Sequence, residues 1–164
     1  MDDTIRNILE IIENDAKATP LEISRLTGVS VKDIEKTIKE LEDKNIIRKY
    51  KTIIDWEKAG DVCVHAVIEL KVTLERKLGY KAIAERIYKF PEVLSVRLLS
   101  GNQDLSITIR AKSMKELAFF VAEKIATLNQ VNSTTTYFVL KTYKEDGVIL
   151  EEKESEKKRL PITP

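Results

Sequence analysis

Cysteine, histidine and tryptophan occur once each in 164 residues, as Cys63, His65 and Trp56. A single cysteine excludes a disulfide framework and a cysteine-built zinc site. A single histidine excludes histidine-rich metal sites and chemistry that needs several imidazoles. No apolar run approaches the ~18 residues of a membrane span. Met1-Asp2-Asp3 lacks the basic start of a secretory signal. These absences point to a reducing, cytoplasmic setting with no membrane, and nothing in the pattern asks for a metal, a cofactor or a catalytic residue.

A strong net charge is absent too. Lysine plus arginine is 28 and aspartate plus glutamate is 27, a net +1, which by itself argues against nucleic acid. Residues 1–60 carry 11 basic and 13 acidic side chains, net −2, and residues 61–164 carry 17 and 14. Glutamine is scarce, while Lys, Glu and Ile dominate, a bias that resembles thermophile usage. With 43% hydrophobic residues against 34% charged, the chain has enough apolar side chains for packed cores. Its length suits one domain or two small ones.

What is present is periodic. Ile5, Ile8, Leu9 and Ile12 make one stripe of an amphipathic helix, with Asp2 or Asp3 as N-cap. Thr19-Pro20-Leu21-Glu22 is a capping box with proline at the first helical position. The short helix it opens turns Ile23 and Leu26 inward, and Gly28 ends it where a positive φ is expected. Ser30 caps a third helix, with Asp33 three residues on. Ile34, Ile38 and Leu41 share one narrow face at about 100° per residue. Lys32, Lys36 and Lys39 share the opposite face. A short helix, a glycine turn and a longer capped helix make a helix-turn-helix pattern, although a lysine stripe is also what an ordinary solvated face looks like. Residues 44–55 follow, rich in β-branched and aromatic side chains, and read as a strand or wing. Lys44, Arg48, Lys49 and Lys51 make this a local basic patch suited to phosphates. Trp56 to Gly60 reads as a linker, with Trp56 packed.

Beyond it, Val62, Val64, Ala66, Ile68, Leu70 and Val72 alternate with Cys63, His65, Val67, Glu69 and Lys71, as in a half-buried strand. Tyr80 to Phe90 is helical up to Pro91, and Val93 to Leu99 is strand-like. Leu105 to Ala111 alternates. Ser113 and Glu116 form a capping box for a helix bearing Leu117, Phe120, Val121, Ile125 and Leu128, and Thr134 to Tyr143 is β-rich. The order βαββαβ is the split ferredoxin-like unit, with helices on one sheet face and the other free for a partner sheet. Gly101-Asn102-Gln103-Asp104 joins the middle strands and reads first as a hairpin turn. The fold class is therefore α+β: a helix-turn-helix domain over 1–55, a linker over 56–61, a ferredoxin-like domain over 62–145 and a charged tail over 146–164, mobile or extended on a neighbour.

Over roughly residues 1–145 the chain resembles the leucine-responsive/asparagine-synthesis regulator (Lrp/AsnC) family of prokaryotic transcription factors, as a thermophilic or archaeal member. The resemblance rests on Leu26-Thr27-Gly28-Val29-Ser30, Ile38-Lys39-Glu40-Leu41-Glu42, Ile46-Ile47, Tyr50 and Gly60. It continues through Phe90-Pro91-Glu92-Val93, Gly101 with Asp104, and Val131-Asn132-Ser133-Thr134-Thr135-Thr136. It implies a regulator of double-stranded DNA that dimerises through its second domain and assembles into octamers or similar rings. DNA contacts would come from Ser30, Lys32, Lys36, Thr37 and Lys39 in the groove, and from Arg48, Lys49 and Lys51 on the backbone. A small effector, typically an amino acid, would bind near Gly101, Asn102, Gln103, Asp104, Thr134 and Thr136. Thr37 stands where the family usually has arginine. Gln103 stands where it often has an aromatic residue, so a more polar ligand, a different one or none would each fit.

Two further readings stay open. One is a sensing or assembly protein of the same architecture that no longer binds DNA, in keeping with the net −2 of residues 1–60 and with Thr37. The other is an enzyme similar to the sirohaem decarboxylases, which would need cationic and imidazole groups around a macrocycle. His65 is the one imidazole available, and no nucleophile–base pair accompanies it.

Overall fold

A computed structural model describes residues 2–61, 63–73 and 79–151. The chain divides into two compact units, Met1–Ile53 and Ile54–Pro164.

The first unit is three helices: α1 (Asp3–Asn14), α2 (Pro20–Thr27) and α3 (Val31–Asp43). Each start is fixed locally. The Asp2 carboxylate accepts from the Thr4 amide. Thr19 accepts from the Glu22 amide while Glu22 accepts from the Thr19 amide, a complete capping box. Ser30 accepts from the Asp33 amide. Gly28 closes α2 at φ 74°, a backbone state that costs other residues a Cβ clash. Ile8, Ile12, Ile23 and Ile34 form the core. Each fully buried isoleucine contributes about 1.5–3 kcal/mol of transfer free energy.

Two expectations are corrected here. Leu26 does not face inward; it is 71% exposed. On an eight-residue helix the inner face is filled by Ile23 with the half-buried Ser24 and Thr27. The Ser24 hydroxyl donates ahead to Val29 O and the Thr27 hydroxyl back to Ile23 O, and Leu26 lies off the face. Residues 44–55 do not form a strand. Asn45 reverses the chain at φ 53°, and the Ile46 and Ile47 amides both donate to Leu41 O. The first unit holds only helices, so β-prone residues find no ladder to join.

The second unit begins with a hydrogen-bonded turn over 55–61, where the Asp61 amide donates to Trp56 O and the Lys58 amide to the Asp55 carboxylate. Then come β1 (Val64–Val72), α4 (Tyr80–Ile87), β2 (Val93–Leu98), β3 (Leu105–Ala111), α5 (Met114–Phe120) running into a π turn (Val121–Ile125), and β4 (Val131–Phe138). A small hairpin of β5 (Lys144–Glu145) and β6 (Val148–Ile149) follows. The four-stranded sheet is antiparallel in the order β2-β3-β1-β4. Ala66, Ile68, Leu70 and Val72 pack with Ile107 and Ile109 beneath Ile83, Ile87, Leu117 and Ile125. Both helices therefore cover one sheet face. The other face presents His65, Val67, Glu69 and Lys71 of β1 with Arg110, Thr108 and Ser106 of β3 opposite the first three. The Ser113 cap holds, but Glu116 accepts from the Lys112 amide instead of closing a box. Val62 and the tail beyond Glu151 lie outside the described residues. Among the described residues no helix is long and apolar enough to cross a membrane.

Candidate functional site

The first unit offers a cationic helix face. Ile34 and Leu41 of α3 are buried, which turns Lys32, Lys36 and Lys39 to solvent. Lys36 lies 3.9 Å from Glu40, which also sits 3.6 Å from Lys44. Lys32 and Lys39 form no salt bridge among the described residues. Ser30 spends its hydroxyl on Asp33, donating to the carboxylate at 2.6 Å, so it acts first as a cap. Thr37 is half-buried at the flank of the lysine face.

Arg48, Lys49 and Lys51 are exposed on irregular chain after α3. That chain is tied back: the Tyr50 hydroxyl donates to Glu42 Oε1 at 2.9 Å. Burial, with Glu42 beside it, pushes the Tyr50 phenol above its ordinary value, so the donor proton stays in place.

The second unit offers a cleft of about 530 Å³ at the β2–β3 turn, lined by Glu69, Leu98, Leu99, Ser100, Gly101, Asn102, Gln103 and Tyr137. Asp104 holds the turn in shape. Its amide donates to Leu70 O, and its carboxylate accepts from the Val72 amide at 2.9 Å and from Lys71 Nζ and the Tyr80 hydroxyl at 3.3 Å. The Val72 amide, then Lys71 and Tyr80, keep the Asp104 carboxyl below its ordinary range against partial desolvation. Lys71 Nζ also donates to Asn102 O. Gln103 Oε1 is buried with no hydrogen-bond partner. The amides of Ser100 to Gln103 donate to no acceptor within the described residues.

Gly101, Asn102 and Gln103 thus come together, and Asp104 braces them from behind. Thr134 and Thr136 do not join them. They pair with the buried Leu70 and Ile68, which sets their side chains on the helix-covered face. Glu69 and Tyr137 take that place from the other face, with the Tyr137 hydroxyl 3.5 Å from Glu69 Oε2. The β1 alternation already put Glu69 on this face; only the β1–β4 register brings Tyr137 to it.

His65 faces Arg110 across the β1–β3 ladder. Burial, then the Arg110 guanidinium, hold the imidazole below its ordinary value, and Glu145 pulls the other way. Arg110 also lies 5.3 Å over the Trp56 ring.

Residues 65–149 match the family model of the Lrp/AsnC ligand binding domain, and residues 1–48 match a winged helix-turn-helix DNA-binding model. The chain belongs to the Lrp/AsnC family. It is 43% identical over 158 residues to the uncharacterized HTH-type transcriptional regulator YugG of Bacillus subtilis, covering 96% of this chain and 95% of that one. It is 34% identical to the HTH-type transcriptional regulator FL11 of Pyrococcus horikoshii, over 88% and 93%. Among solved structures, the transcriptional regulator NMB0573 of Neisseria meningitidis, solved as an L-Met complex, superposes with a TM-score of 0.71 at 26% identity, over 88% and 93%. The cationic face of α3 therefore lies in a DNA-binding helix-turn-helix, and the cleft lies in the ligand-binding domain of a transcriptional regulator of the Lrp/AsnC type.

Proposed function

We propose that this Lrp/AsnC regulator reads duplex DNA with α3 and takes an amino acid in the cleft at the β2–β3 turn. The observation that carries the reading is the division of α3 into a buried Ile34/Leu41 face and a solvent face bearing Lys32, Lys36 and Lys39. Lys32, Lys36, Thr37 and Lys39 enter the major groove, with Ser30 setting the helix start. Arg48, Lys49 and Lys51 contact phosphates, which gives affinity without sequence information. Two such units in a homodimer read half-sites spaced by whole helical turns.

The effector enters at Gly101, Asn102 and Gln103, with Glu69 and Tyr137. The L-Met complex of the Neisseria protein supports an amino acid, and so does the cleft: free amides in the turn suit a carboxylate, and Glu69 suits an ammonium. The effector acts by binding one assembly state more tightly than another, which is the one way a ligand shifts such an equilibrium. The sheet face without helices suits a second copy, and rings of dimers bring several weak DNA contacts to bear together. We assign the protein no catalytic role and a cytoplasmic location.

The test is selection of bound genomic fragments by purified protein, with and without pooled amino acids, followed by salt titration on an enriched fragment. Enrichment that changes with amino acids is expected. Absence of any enriched sequence under both conditions overturns the regulator reading in favour of a sensing protein without DNA.

A further inference from the structure

The turn over 55–61 belongs to the second unit, although it precedes the sheet in the chain. It closes on itself. The Ala59 amide donates to Asp55 O, the Gly60 amide to Glu57 O and the Asp61 amide to Trp56 O. Lys58 Nζ lies 3.9 Å from the Asp55 carboxylate. The half-buried Trp56 ring lies under the Arg110 guanidinium at 5.3 Å, within the range of a cation–π contact. Arg110 stands on β3 opposite His65 of β1, so the turn is held to the sheet itself. The Lys141 amino group is raised above its ordinary value by Glu151 first, then by Tyr143 and Glu57. Glu57 is thus within electrostatic reach of the segment after β4.

On the side of the first unit, Tyr50 is tied to Glu42 at 2.9 Å. Between Tyr50 and the turn lie residues 51–54. Four residues reach at most about 14 Å when fully extended. A turn released from the sheet does not persist, because so short a helical piece is marginal alone in water. The tether then runs over 51–61 and reaches up to about 40 Å. In a dimer, two held tethers add at most about 28 Å to the distance between their anchors, less than one turn of DNA at roughly 34–36 Å. Two released ones add up to about 80 Å, more than two turns.

We infer that the Trp56–Arg110 contact is a latch that sets the half-site spacing this regulator accepts, with Trp56 and Arg110 as positioning residues that touch no DNA. While it is closed, a dimer cannot follow half-sites moved apart by one more turn of duplex. Once it is open, the same dimer spans either spacing. The inference rests on the DNA reading above and adds to it, and it makes no use of the effector.

The experiment uses the full chain and a fragment enriched in the genomic selection. In a second fragment the half-sites are moved apart by about ten base pairs, which keeps them on one face of the duplex. A third carries one half-site alone. The unmodified protein is expected to bind the re-spaced fragment about tenfold or more weakly than the original, because one half-site then goes unengaged. In Trp56→Ala that preference is expected to fall below about threefold, with affinity for the lone half-site unchanged. Arg110→Gln, which keeps the tryptophan, is expected to do the same, and it decides the matter should Trp56→Ala fail to fold. A folded Trp56→Ala protein with the original preference overturns the latch, as does an unmodified protein that binds both spacings alike. Either result leaves the regulator reading standing. A loss of affinity for the lone half-site in both variants also overturns the latch, since the two residues would then act on the reading itself. Binding to none of the fragments overturns both.

Discussion

The Tyr50 hydroxyl donates to Glu42 at 2.9 Å, tying the basic segment after α3 to the last turns of the helix that bears the lysine face. Arg48, Lys49 and Lys51 flank this tie, so their positions relative to Lys36 and Lys39 depend on it. Tyr50→Phe keeps the ring and removes the bond. Both partners are exposed, so stability is expected to fall by less than about 1 kcal/mol. DNA affinity is expected to fall several-fold as the basic segment loses its fixed position. Unchanged affinity in a binding isotherm at fixed salt would show that the segment needs no fixed position.

The lysine face itself is tested by its ionic signature. Each phosphate neutralised contributes about −0.9 to the slope of log affinity against log salt. Replacing Lys36 and Lys39 together by alanine is expected to reduce that slope by about two, with affinity falling on every sequence tried. If affinity and slope both stay put, DNA is read elsewhere. Lys36 shares Glu40 with Lys44, so Lys39 alone is expected to account for more of the change than Lys36 alone.

Legibility followed the range of the interactions. Helix starts were readable because a cap is a contact over two or three residues, as at Thr19/Glu22 and Ser30/Asp33. The β1 alternation was readable because one buried face imposes a period of two. The mistakes came where a residue's place depends on partners far along the chain. Leu26 has the spacing of a core residue, but Ile23, Ser24 and Thr27 fill the inner face of the short helix. Residues 44–55 have strand composition and pair with no strand. In the cleft, the turn 101–104 showed in its turn-forming residues and its family likeness. Tyr137 and the placement of Thr134 and Thr136 on the helix-covered face did not, since antiparallel register decides which of two alternating sets faces which side.

The Leu26 correction has a direct consequence for stability. Ile23→Ala removes a fully buried side chain from the small first core and is expected to cost about 2–5 kcal/mol. Leu26→Ala, three residues away, is expected to change stability by no more than about 0.5 kcal/mol, as at other surface positions. Denaturant melts of the two variants separate the cases. A Leu26→Ala cost near that of Ile23→Ala would mean that Leu26 packs inward after all.

Trp56 is the chain's single tryptophan, so the Arg110 stack at 5.3 Å can be watched by intrinsic fluorescence. Arg110→Gln is expected to shift the Trp56 emission and to cost about 0.5–1 kcal/mol, the range of an exposed cation–π contact. The same change removes the guanidinium that helps to depress His65. The imidazole is therefore expected to titrate at higher pH in the variant, followed by proton NMR. Emission and titration both unmoved would separate Arg110 from its two neighbours.

Asp104 and His65 predict two separate steps in acid. The Asp104 carboxyl sits below its ordinary 3.8 because the folded state bonds the charged form through the Val72 amide, Lys71 and Tyr80. Its stabilising contribution is thus complete above that value and is lost as pH falls through the lower folded one. His65 also sits below its ordinary 6.5, mainly through burial. Between 6.5 and its folded value the unfolded chain takes up the proton first, so stability declines as pH drops through that window. Asp104→Asn is expected to flatten the lower step and leave the upper one. It also removes the charge that pairs with Lys71 and one of the two oxygens that accept from Val72, Lys71 and Tyr80, so the turn loosens and effector affinity is expected to fall even at neutral pH. Chemical unfolding across the pH range, beside titration with amino acids at pH 7, checks both effects. An Asp104→Asn variant with the original acid profile and the original ligand affinity would show that the β2–β3 turn keeps its shape without this carboxylate.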